Sequence, residues 1–124
     1  MKENISESLK KGINSTLKSL KRKMAETLFL SQAKMFCVIS QDKSKVFYGV
    51  LDESTNTLYV RSSKEKFFKE NIFPNDLIED DEENKSRYKV VECDFNNSFD
   101  YLVKVKEQYH TVKCFRIQLE NVAK

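Results

Sequence analysis

The sequence predicts an α+β fold: one long N-terminal amphipathic helix packed on a curved antiparallel sheet of about six strands. Three observations carry that expectation. Ile5, Leu9, Ile13, Leu17, Leu20, Met24 and Leu28 recur at spacings of 4, 4, 4, 3, 4 and 4, the apolar stripe of a helix. Beyond Lys34 the apolar residues come in short alternating or β-branched runs, separated by polar turn sequences, which is the pattern of strands. The chain has 124 residues, 40% of them hydrophobic, with nine Phe and five Tyr, enough to bury one core. A single α+β domain over residues 1–124 is therefore expected.

The helix is expected over residues 15–33. Gly12 can end a shorter first helix and Asn14 can cap a second, so residues 1–14 are held loosely. Met35–Ser40, Val46–Leu51 and Thr57–Arg61 read as three strands of a meander, joined by Gln41–Lys45 and by Asp52–Asn56, a segment rich in residues that bond their own backbone. Ser62 and Glu65 have the spacing of a capping box and open a short helix over Lys64–Asn71. Pro74 requires that helix to have ended.

Asp76–Ser86 concentrates acid and reads as a loop, the segment of the chain most prone to disorder. A second meander follows: Tyr88–Phe95, a turn at Asn96–Ser98, Phe99–Lys106, a turn at Glu107–His110, and Thr111–Leu119. An open sheet of this kind has an apolar face to cover, for which the helix stripe is the obvious partner. It also has two edges to shield or pair.

Charge is unevenly spread. The formal net charge is +3, yet residues 1–34 hold eight Lys or Arg against three Glu, and residues 76–83 hold six acids and no base. Opposed patches of this kind point to contact with a partner, or between parts of the chain. On the helix, Lys11, Lys18, Lys21, Arg22 and Lys23 form a basic face that nucleic acid or an anionic membrane would attract. Phe67, Phe68, Ile72 and Phe73 put four large apolar groups into seven residues. They read either as a docking patch for a protein partner or as a plug closing one end of the sheet.

Several chemistries find no support. With two glycines and one histidine, a phosphate-cradling loop or a His-based zinc or catalytic site is hard to assemble. The acidic run lacks the alternating carboxylates and the glycine of a calcium loop. Cys37, Cys93 and Cys114 are widely spaced, each within an apolar run, and read as small core residues of a reducing compartment. His110 and Cys114, four apart on a strand, stand about 13 Å from each other and cannot share a proton. No catalytic residue, cofactor or metal is expected. No window is apolar enough for a membrane span, and the N-terminal region lacks a signal peptide's apolar centre, so a cytoplasmic or nuclear location is expected. The function expected is a non-catalytic protein–protein interaction module: an adaptor or small subunit binding another protein or a second copy of itself. Binding of nucleic acid or anionic lipid through the basic helix is the alternative.

Overall fold

The computed structural model describes residues 20–83 and 85–122. Helix α1 covers 20–32. Strands β1 (Lys34–Val38), β2 (Val46–Asp52) and β3 (Thr57–Arg61) follow. A 3-10 turn at Ser62–Lys64 then leads into helix α2 (Glu65–Asn71), and β4 (Leu77–Asp80), β5 (Arg87–Val105) and β6 (Gln108–Val122) complete the chain. All pairings are antiparallel, and the strands close into a barrel in the order β1-β2-β3-β6-β5-β4. The α+β class and the six antiparallel strands are those expected. The topology differs from the open sheet expected.

Side-chain alternation builds the interior. Phe36 and Val38, Phe47, Leu58 and Val60, Ile78, Tyr88 and Val90, and Phe115, Ile117 and Leu119 all point into one buried cluster. Full burial of a side chain this size contributes roughly 1.5–3 kcal/mol. Phe68 and Ile72, each 2% exposed, join the cluster from α2 and its C-cap. The Phe68 ring meets Phe47 edge-on at 5.5 Å and lies 6.1 Å from Phe95. Since α2 belongs to no strand, it reaches the interior through the open end of the barrel, which it plugs. α2 ends where Ile72 turns extended, two residues before Pro74, which cannot continue a helix.

The expected open sheet is instead closed, and the closing strand comes from the segment read as an acidic loop. Charge dominates Asp76–Ser86, but burial alternates along Leu77–Asp80, with Ile78 and Asp80 inside. β4 pairs with β1 on one side and β5 on the other. Buried Asp80 caps the turn that follows: its carboxylate accepts from the Ser86 and Glu82 backbone N–H groups at 3.0 and 3.3 Å.

The expected turn at Asn96–Ser98 is a bulge inside one long strand. Register runs from Asp94↔Arg116 to Phe99↔Cys114, so the partner does not change across it. The Asp94 carboxylate accepts from the Asn97 backbone N–H at 3.2 Å, which satisfies the looped-out backbone locally. The bulge also swaps faces: Phe95 points into the barrel, while Tyr101 and Val103 point outward under α1. The second meander therefore becomes a single β5–β6 hairpin, turning at Lys106 and Glu107, with Lys106 left-handed at φ 56°.

α1 packs on the outer face of the barrel, because closure has already covered the inner one. Its contacts come from Ala25, Leu28 and Phe29, against Val50, Tyr59, Tyr101, Val103, Val112 and Cys114. Of the stripe residues within the described helix, only Leu28 joins this contact. Leu20 and Met24 face solvent at 56% and 46% exposure, so the helix is rotated from the expected face. Residues 1–19, including the rest of the stripe, lie outside the described residues. Ser62 does not cap α2: the helix starts at Glu65 with no side-chain cap bond, and the 3-10 turn precedes it.

Gly49 sits where β2 lies close against β3. A Cβ there would lie 2.8 Å from Leu58 Cδ1 and 3.1 Å from the Tyr59 carbonyl oxygen, and Leu58 is fully buried with no room to yield. Gly49→Ala is therefore expected to destabilise the protein by about 1–3 kcal/mol, read as a lower urea midpoint with unchanged slope.

Candidate binding surfaces

With the interior filled by side chains, chemistry is left to the outer surface. Of the concavities there, two hold candidate residues or cysteines. The larger, about 910 Å³, lies over the outer side of β1. Met35, Cys37 and Val46 line it, with Lys43, Glu79 and Arg87 among its charged groups. Arg87 Nε donates to Glu79 Oε2 at 2.8 Å, so part of this charge is neutralised within the wall.

The smaller, about 600 Å³, lies between the first turns of α1, the 3-10 turn and the start of β6. α1 contributes Lys21, Arg22, Ala25 and Glu26. The turn contributes Ser62 and Ser63, and β6 contributes Tyr109 to Lys113, including His110. Lys113 is committed to Asp100 across the hairpin at 2.6 Å, whereas no carboxylate among the described residues pairs with Lys21 or Arg22.

The basic face read from the sequence divides here. Lys21, Arg22 and Lys23 are all exposed on α1, but only the first two line the cavity. Lys11 and Lys18 lie outside the described residues. The Phe67–Phe73 cluster divides as well: Phe68 and Ile72 are inside the barrel, Phe67 is half-buried against Phe47, and Phe73 alone is exposed, at 48%. The plug reading describes the first two.

His110 and Cys114 occupy one strand, opposite Val103 and Phe99. Cys114 is buried beneath α1, and burial pushes its thiol up to about 12. Burial also pushes Cys93 up to about 11, helped by the nearby charges of Asp76 and Glu92. Neither forms a thiolate at neutral pH. Among the described residues no group of three His, Cys, Asp or Glu could hold a metal ion, and no helix is long and apolar enough to cross a membrane.

Ser62, Ser63 and His110 were not anticipated beside Lys21 and Arg22. With Lys21 and Arg22 they come from three separated segments, brought together by the β3–β6 register and by the packing of α1 on the outer wall. The one sequence signal was the alternation of His110, Val112 and Cys114. No family model, no curated protein and no solved structure matches this chain.

The thiol shifts have a stability consequence. The folded-state pKa of Cys114 lies above its ordinary value of 9.0, so its contribution is complete below pH 9 and is lost as pH rises toward 12. Cys114→Ala is expected to lose less stability than the parent between pH 8 and pH 11, by urea unfolding. At pH 7, iodoacetamide should leave Cys93 and Cys114 unmodified until denaturant is added, as read by intact mass.

Proposed function

We propose that this protein is a non-catalytic interaction module that binds a protein partner through the outward face of α1. The observation that carries the reading is the exposure of Leu20 and Met24. They occupy the helix face that the barrel does not use, and they continue the 4, 4, 4, 3, 4, 4 spacing that begins at Ile5. An exposed apolar ridge in helical register, with nothing among the described residues packed on it, is what a second helix packs on. The filled barrel interior and the un-ionised buried thiols of Cys93 and Cys114 support the same reading.

A photo-crosslinking residue at position 24 tests it. Irradiation of the full chain, alone and in cells, is expected to yield a discrete adduct above 14.6 kDa, absent when the crosslinker replaces exposed Glu70 on α2. Leu20→Asp is expected to remove the adduct with the fold intact. No discrete adduct from position 24 in either setting, or an adduct indifferent to Leu20→Asp, would contradict the proposal.

A second reading rests on the exposed cations Lys21, Arg22 and Lys23, with Lys11 and Lys18 of the preceding sequence. This face would bind nucleic acid or an anionic membrane. It predicts retention on heparin that collapses as salt is raised and is lost in a Lys18→Glu, Lys21→Glu, Arg22→Glu variant. The ridge reading predicts no such salt dependence.

A further inference from the structure

The wall of the smaller cavity contains a strand edge that has no partner strand among the described residues. β3 pairs with β6 only from Cys114 to Gln118. After Arg61 the chain leaves the sheet through the 3-10 turn at Ser62–Lys64, which lies against β6, and among the described residues no strand continues β3 alongside the first residues of β6. Gln108 to Lys113 pair only with β5. That stretch spans roughly 17 Å at the usual rise per residue.

The orientation of its backbone groups follows from the hairpin. Lys106 and Glu107 form a two-residue loop closed by Val105↔Gln108. In such a hairpin the closing pair exchanges hydrogen bonds, and bonded and non-bonded pairs then alternate. Val103↔His110 and Tyr101↔Val112 are bonded pairs facing β5. The N–H and C=O groups of Tyr109, Thr111 and Lys113 therefore point away from β5, toward the cavity these residues line. Among the described residues, no backbone hydrogen bond outside the sheet ladder reaches any of the three. An edge of this kind is a template for another strand.

We infer that this edge binds an extended acidic peptide from a partner protein, which adds a strand antiparallel to β6 in line with β3. The cavity supplies the space, about 600 Å³, within the size range of ligand clefts. Its walls supply the selection. Lys21 and Arg22 stand over the edge from α1 with Glu26 as the sole acid of that wall, and half-buried His110 lies below them. Ala25 and Val112 are the apolar groups between. A docked strand presents alternate side chains to this wall, so acids alternating with small or β-branched residues fit it, and lysines do not. The site is separate from the Leu20–Met24 ridge, on a different face of the same helix.

The test is selection from a displayed library of random extended hexapeptides against the full chain, followed by amide NMR with the best synthetic clone. The expected clones are acidic at alternate positions. Binding should shift the amide signals of Tyr109, Thr111 and Lys113 and slow their exchange with solvent. Lysine in place of the peptide's acids should weaken binding by about tenfold or more, as should Lys21→Gln with Arg22→Gln. Lys23→Gln, outside the cavity, should leave it unchanged.

Thr111→Pro removes one outward donor without touching the β5 ladder and should abolish binding. If that variant does not fold, a peptide N-methylated at alternate residues makes the same test from the other side and should fail to bind. An absence of binders, binders without acidic bias, clones that shift other amides, or an N-methylated peptide that binds as well as its parent would each overturn the inference.

Discussion

The structure depends on a seam of three residue pairs. Phe36, Cys37 and Val38 of β1 lie opposite Asp80, Glu79 and Ile78 of β4, and this short pairing converts an open sheet into a barrel. Its ends are extended by the Ile39 N–H donating to the Leu77 carbonyl at 2.9 Å and the Asp81 N–H donating to the Met35 carbonyl at 3.0 Å. Closure turns the apolar face of every strand onto the others and removes the β1 and β4 edges, which an open sheet would have to protect. The interior then needs no helix to cover it beyond the plug supplied by α2. α1 is released to the outer wall.

That release divides the apolar residues into two cores. One fills the barrel; the other lies between α1 and the outer faces of β2, β3 and the β5–β6 hairpin. The bulge between Asp94 and Phe99 lets one strand serve both, since without the swap Phe95 and Tyr101, both odd-numbered, would share a face. Cys114 and Phe115 show the same division on β6: neighbours in sequence, both buried, in different cores. The hairpin runs past the end of β3, and among the described residues no strand lies beside its overhang. The hairpin that anchors α1 thus also carries, among the described residues, a stretch of β6 with no strand on its outer side, next to Lys21 and Arg22.

Most strands were legible in the sequence because period-two alternation is local. Val46–Leu51 and Thr57–Arg61 match β2 and β3 closely, and the turn between them shows the expected chemistry, with the Ser54 hydroxyl and N–H bonding to the Asp52 carboxylate. Those bonds hold that carboxyl below the ordinary carboxylate range. What misled was composition overriding pattern. Six acids, one of them buried Asp80 itself, hid the inward Ile78 and Asp80 of the strand that closes the barrel, and Asn-Asn-Ser, a common turn sequence, stabilises a bulge equally well because the Asn97 bonds to Asp94 are local either way. The helix face was misjudged for a different reason. Leu20 and Met24 obey the apolar spacing, but Ala25 and Phe29 obey the shape of the wall: small Ala25 allows close approach, and the Phe29 ring meets Tyr101 edge-on at 5.6 Å. The grouping of Ser62, His110 and Arg22 depends on strand register across long stretches of chain, and no local pattern encodes it.

Closure of the barrel is the claim on which the placement of every surface rests, and amide hydrogen exchange at the seam measures it directly. The Ile39 and Asp81 amides, bonded at opposite ends of the β1–β4 pairing, are predicted to exchange as slowly as amides in the β3–β6 pairing, and to open only with global unfolding. Exchange of both amides at the rate of exposed backbone, while β3 and β6 remain protected, would show an open sheet and contradict the account.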